Sequence, residues 1–131
     1  MADTRIALVT GANKGIGREI ARQLAEAGVT VIIGARDPER GMEAAAELTS
    51  RSLSAESIEI DLNDEATITA AAERIAADHG RLDILVNNAG IVDAADGPPT
   101  TAATTAARRI METNFICTLA VTQAMLPLLR K

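Results

Sequence analysis

Along the 131-residue chain, short apolar runs alternate with stretches in which apolar residues return every three or four positions. The runs read as strands at Arg5–Val9, Val29–Ala35, Ser57–Ile60 and Asp83–Asn87, with helices after each. Ile16, Ile20 and Leu24 repeat at four-residue spacing over Ile16–Ala27, and Gly28 stops that helix. The second helix starts at Pro38, whose missing N–H would be unpaired in a first turn anyway, and runs to about Arg51. A third begins at Asn63 or Asp64, either able to cap it, and ends at His79 before Gly80. The fourth is the longest, about Thr104 to Leu126, with Pro127 expected to kink or end it.

This alternation implies right-handed crossovers and a parallel sheet covered by helices on both faces. The expected strand order is 3-2-1-4, with a ligand crevice at the carboxyl ends of the strands, near the switch between strands one and four. No internal repeats occur, and the loop Ala94–Thr105, with Gly97-Pro98-Pro99 and several threonines, is the one low-complexity stretch.

The first strand runs directly into Thr10-Gly11-Ala12-Asn13-Lys14-Gly15-Ile16-Gly17 and then into a helix. Strand, glycine turn and helix form the geometry that binds a dinucleotide pyrophosphate. The glycines let the backbone approach the phosphates, and the unpaired N–H groups of the first helical turn point at the anion. The fold class is therefore α/β, a Rossmann-type sheet in one domain spanning residues 1–131. The glycine spacing is neither G-x-G-x-x-G nor that of a P-loop, which needs Gly-Lys-Ser/Thr.

Composition narrows the field. The chain is long enough for a real core, and its 47% hydrophobic content suits helices packed closely on a sheet. Phe115 is the only aromatic residue, so the stacking platforms of single-stranded nucleic-acid binders are missing. A net charge of −5 argues against duplex DNA and anionic membranes. The longest apolar runs, such as Val29–Ala35, are far too short to span a bilayer, and the first strand begins too early to leave room for a signal peptide. The single cysteine, Cys117, permits no internal disulfide and reads as core filling. The expectation is a soluble, cytoplasmic protein. No His, Cys and carboxylate cluster has metal-ligand spacing. His79, the lone histidine, reads as a C-terminal helix cap.

A second motif, Leu82-Asp83-Ile84-Leu85-Val86-Asn87-Asn88-Ala89-Gly90, reads as a buried strand ending in a small, polar turn. Together, the TGxxxGIG turn and this NNAG segment resemble the short-chain dehydrogenase/reductase family. Gly-Ala-Asn-Lys-Gly-Ile-Gly and Gly34-Ala35-Arg36-Asp37 look most like its NADPH-dependent carbonyl reductases. The resemblance covers Thr4 to Lys131.

An NAD-selective site places a carboxylate at the end of strand two to accept from the ribose hydroxyls. Here Ala35 holds that place and Arg36 follows, so a 2′-phosphate could pair with Arg36 and with Lys14, where the family's NADP-dependent members carry a basic residue. Hydrogen bonds to charged groups contribute roughly 1.5–3 kcal/mol net. Asp37 matches the family pattern Ala-Arg-Asp and reads as a cap before Pro38 rather than as the NAD carboxylate. The resemblance also implies cofactor-lining roles for Thr10, Gly11, Asn13, Lys14, Gly15, Ile16 and Gly17 in the turn. Asp61 would bond the adenine amino group, with Leu62 beside the ring; Asp61 could equally cap the third helix. Asn88, Ala89 and Gly90 would line the ribose side, whereas Asn87 would tie neighbouring backbone together.

Ile110, Asn114, Cys117 and Val121 fall on one helical stripe, placing an amide among apolar neighbours. By resemblance, Glu112-Thr113-Asn114-Phe115 matches the segment whose Asn joins a water relay to the catalytic Lys. The family's catalytic Ser and Tyr-x-x-x-Lys lie beyond Lys131, and the chain has no tyrosine. Two readings stay open. One is the cofactor-binding half of an NADPH-dependent reductase acting on a small carbonyl substrate, inactive alone. The other is a non-catalytic NADP-binding or interaction module. Ending where a fifth strand should begin, the chain would leave strand four and part of the fourth helix (Val121, Met125, Leu128) without neighbours, favouring a homo-oligomer or aggregation.

Overall fold

The computed structural model describes residues 4–90, 98, 101 and 103–131. The elements are β1 (Ile6–Thr10), α1 (Gly15–Glu26), β2 (Thr30–Ala35), α2 (Pro38–Thr49), β3 (Ala55–Glu59), α3 (Glu65–His79) and β4 (Ile84–Val86), followed by α4 (Thr104–Met111), a π-helical segment (Glu112–Cys117) and α5 (Thr118–Leu129). All strands are parallel and lie in the order β3-β2-β1-β4, as the sequence pattern implies. Boundaries differ from the expected ones by a few residues, most at β3, which begins at Ala55. Most of the expected Ala94–Thr105 loop lies outside the described residues.

Successive side chains of a strand point to opposite faces, and this chain buries both. Ala7, Val9, Val31 and Ile33 pack against Ala21 and Ala25 of α1 and Ala44, Ala45 and Leu48 of α2. Ile6, Leu8 and Ile32 face the other way, onto Ile68, Ala71 and Ile75 of α3 and Val121, Met125 and Leu128 of α5. Alanines at the contact let α1 and α2 lie close to the sheet. Each fully buried aliphatic side chain contributes roughly 1.5–3 kcal/mol. Val121, Met125 and Leu128 are thus core residues, contrary to the expectation that they lack neighbours, because α5 packs beside α3 on the same face of the sheet. The exposed apolar side chains of this region are instead Met111, Phe115, Ile116, Leu119 and Leu126.

Local signals set most of the helix ends. The Asp37 carboxylate accepts from the N–H groups of Glu39 and Arg40, capping α2. Asp64, not Asn63 or Asp61, caps α3 by accepting from Ala66 N–H. Gly80, at φ 75°, closes α3, and its N–H reaches the carbonyls of Ile75 and Ala76. His79 is therefore not the cap; its Nε2 lies 2.9 Å from Glu56 Oε1, joining α3 to β3. Pro127 does not end α5, which continues to Leu129. A proline this close to a helix end deprives one carbonyl of its partner. The last turn is held by buried Leu128, whose carbonyl accepts from Leu82 N–H at 3.1 Å.

The fourth helix also departs from uniform pitch, since residues 112–117 are π-helical. The extra residue shifts the register, so Thr113 rather than Asn114 faces inward, and Asn114 is exposed. Cys117 is half-buried against the core, and burial pushes its thiol up from the ordinary value. Asp83 joins β4 to β1 at their starts. Its Oδ2 accepts from Ile6 N–H at 2.7 Å while its own N–H donates to the Ile6 carbonyl at 2.9 Å. The Ile6 hydrogen bond and then Arg81 hold the Asp83 carboxyl below its usual range. Among the described residues no helix is long and apolar enough to cross a membrane.

Candidate functional site

The turn between β1 and α1 sits on the end of β4, where the strand order reverses. Thr10 is buried, and its hydroxyl oxygen accepts from the N–H groups of Asn88 (3.1 Å) and Ala89 (3.0 Å). Asn88 Nδ2 donates back to the Gly11 carbonyl at 3.2 Å. Thr10 and the Asn88 side chain therefore hold the two segments together. Asn88 thus performs the tying expected of Asn87, which reaches α5 instead, donating from Nδ2 to Thr122 Oγ1 at 3.0 Å.

The glycines follow from this clamp. Gly11 has φ +62°, and a Cβ there would lie 2.9 Å from Ala89 Cα. A Cβ on Gly17 would lie 2.3 Å from Asn88 Nδ2 and 2.6 Å from the Gly11 carbonyl oxygen. Gly15 is different: at φ +60°, a Cβ would meet nothing within 4 Å. Two glycines allow close packing, and the third faces open space at the start of α1.

That start is available to an anion. Lys14 occupies the N-cap position without a side-chain cap, and the first turn has no acidic residue. The N–H groups there carry the positive end of the helix dipole. Ile16, 75% exposed, stands beside them. A groove of about 420 Å³ opens next to the turn, lined by Asn13, Lys14, Arg18, Arg40, Glu43, Ala44 and Glu47. Arg18 is ion-paired with Glu47 across it, and Arg40 Nε lies 3.7 Å from Asp37 Oδ2. The Lys14 and exposed Arg36 side chains have no hydrogen-bonding or ionic partner among the described residues. Arg40 is a residue the sequence reading missed. Its signal is its position three residues after the cap Asp37, in the first turn of α2, which brings it to the groove holding Asn13 and Lys14.

Asp61 follows β3. Its Oδ1 accepts from Asn63 N–H at 3.0 Å, and its own N–H and carbonyl both engage Thr67 Oγ1. Leu62 departs from expectation: it is 7% exposed, packed in the α3–α5 core, and offers little side-chain surface to a ring. Asn114 does reach the site. A Cβ on Gly90 would lie 3.1 Å from Asn114 Oδ1, so the amide rests against the NNAG turn. Thus the turn residues, Arg36, Asp61, Asn88–Gly90 and Asn114 all gather at the carboxyl ends of the strands. Among the described residues, no group of three or more His, Cys, Asp or Glu could hold a metal ion.

The family model for short chain dehydrogenases matches residues 5–131. The chain belongs to the short-chain dehydrogenase family. It is similar to a Saponaria officinalis short-chain dehydrogenase/reductase 1, with 49% identity over 94 residues, 70% of this chain and 31% of that protein. Pig carbonyl reductase [NADPH] 1 is 41% identical over 131 residues, 98% of this chain and 44% of the reductase. Among solved structures, a Shigella flexneri short chain dehydrogenase complexed with NADP superposes with a TM-score of 0.87 at 34% identity, over 97% of this chain and 54% of the other. The chain therefore spans about a third to a half of the length of these short-chain dehydrogenases.

Proposed function

We propose that this chain binds NADP(H) above the Gly11–Gly17 turn and is the cofactor-binding portion of an oxidoreductase that reduces a ketone, aldehyde or quinone. The observation that carries this reading is the uncapped start of α1 facing open space at Gly15, flanked by uncommitted Lys14 and Arg36. No carboxylate stands at the end of β2, where Ala35 is buried. The residues fit the group: α1 N–H groups for the pyrophosphate, and Lys14, Arg36 and Arg40 for a 2′-phosphate. Asp61, whose Oδ2 has no partner among the described residues, suits the adenine amino group. Asn88–Gly90 suit the ribose beside the nicotinamide. The names of the pig reductase and the Shigella complex point to the same cofactor.

When bound, the cofactor supplies a hydride. The chain's own residues bind and orient it, and Asn114, against Gly90, suits a place in a proton relay. The sequence contains no tyrosine, so the phenolic proton donor of the family comes from outside these residues. A non-catalytic NADP-binding or interaction module is the second reading, and no sequence feature favours it over the first.

Calorimetric titration with NADPH and NADH tests the cofactor claim. NADPH is expected to bind more tightly by about tenfold to a hundredfold, the equivalent of one charge-assisted hydrogen bond, and Arg36→Ala to erase most of the difference. Equal affinity for the two, or tighter NADH, overturns it.

A further inference from the structure

Thr113 is one of two polar residues buried in the described core, the other being Thr10, whose hydroxyl holds the NNAG turn. Thr113 is 2% exposed and lies inside the π-helical segment, where its Oγ1 donates to Asn63 Oδ1 at 3.1 Å, across 50 residues of sequence. Asn63 is tied in turn, through its N–H, to the Asp61 carboxylate. The next residue after Thr113 is Asn114, whose amide rests on Gly90. A line of polar contacts thus runs from the turn after β3 to the turn after β4, with its middle link buried.

A π insertion is less favourable than regular α-helix and persists where tertiary contacts hold it. A buried hydroxyl without a partner is costly, so the Asn63 acceptor favours the register in which Thr113 points inward. Relaxing to uniform α pitch would rotate Asn114 back toward the core and off Gly90. We propose that the Asn63–Thr113 hydrogen bond is a positioning strut that holds the π register and thereby sets Asn114 against the NNAG turn, coupling the two ends of the cofactor site. This rests on the cofactor reading above. Thr113 and Asn63 are positioning residues that act through Asn114 and Gly90.

The test uses the 131-residue chain with Thr113→Val, which keeps the shape and removes the hydroxyl, Thr113→Ser, which keeps the hydroxyl, and Asn63→Ala at the exposed end. Two ligands are titrated: NADPH, and adenosine 2′,5′-bisphosphate, which covers only the adenosine end. The Asn114 side-chain amide resonance is followed in the free chain. Thr113→Val and Asn63→Ala are expected to weaken NADPH by five- to tenfold, to change the adenosine fragment by less than twofold, and to move the Asn114 amide resonance. Thr113→Ser is expected to restore all three. An unmoved Asn114 resonance in a folded Thr113→Val or Asn63→Ala chain overturns the strut, as does equal weakening of both ligands. If the wild-type chain binds neither ligand, the cofactor reading fails, and the Asn114 resonance still decides the strut.

Discussion

Replacing Gly17 by alanine probes the clamp on which the site is built. The new methyl would sit 2.3 Å from Asn88 Nδ2 and 2.6 Å from the Gly11 carbonyl oxygen, both well inside contact distance. The amide could swing away, but the carbonyl belongs to a turn fixed by Ala89 and by Ala12 N–H bonding to the Gly34 carbonyl. Overpacking of this kind costs roughly 1–3 kcal/mol, and losing the Asn88–Gly11 hydrogen bond a further 0.5–1.5 kcal/mol or so. For a domain of this size that corresponds to a fall in Tm of roughly 10 °C, measurable by calorimetry or circular dichroism. Gly15→Ala is the control. Its methyl meets no atom within 4 Å, so only the left-handed backbone opposes it, at roughly 1 kcal/mol, partly offset by a stiffer unfolded chain. Its Tm should change little while NADPH affinity drops, because the methyl occupies the space where the phosphate approaches. A Gly17→Ala chain melting within a degree or two of wild type would refute the packing argument. A Gly15→Ala chain melting as low as Gly17→Ala would refute the distinction between the two glycines.

Asp83→Asn should destabilise the fold by about 1–2 kcal/mol at neutral pH by weakening the bonds to Ile6 and Arg81. Because the folded Asp83 carboxyl lies below its usual value, this stabilisation is present above about pH 4 and is lost as the pH falls through the folded value. The melting curves of the wild-type and Asp83→Asn chains should therefore converge in acid; a pH-independent gap contradicts the assignment. NADPH oxidation with a panel of ketones and quinones should show no useful turnover by the chain alone, since general acid catalysis typically supplies roughly 10²–10⁴-fold. Activity that survives repurification and tracks the protein would show that the proton comes from elsewhere in these residues. Sedimentation across a concentration series should show self-association, because Met111, Phe115 and Leu119 are exposed and β4 is hydrogen-bonded on one side only among the described strands. A clean monomer at high concentration refutes this, and Phe115→Ser should move the equilibrium toward monomer.

Much of the architecture was legible in residue order because its causes are local or periodic. Alternating apolar runs select strands with two buried faces, Gly28 and Gly80 stop helices through their left-handed backbone, and Asp37 caps α2 from the adjacent position. The parallel order follows once strands and helices alternate, since crossovers have one favoured hand. The glycine turn and the NNAG segment were equally plain, because close backbone approach tolerates few residue types.

What stayed hidden depends on distance in sequence. Nothing in Asn87-Asn88 says which amide turns to Gly11 and which to Thr122, because both partners lie on other elements. Leu62 looked like a ligand-lining residue, yet the apolar surface of α3 and α5 takes its side chain. The stripe through Ile110, Asn114, Cys117 and Val121 assumed one pitch throughout. The π insertion, accompanied by the Thr113–Asn63 bond across 50 residues, exchanged Asn114 for Thr113 at the core. The sequence by itself determined the order of elements, the sheet and the phosphate turn, since each rests on neighbours a few residues apart. Only the tertiary structure decided which polar side chains hold the turn and which face the site, because a hydrogen bond is directional and its partner is chosen by packing.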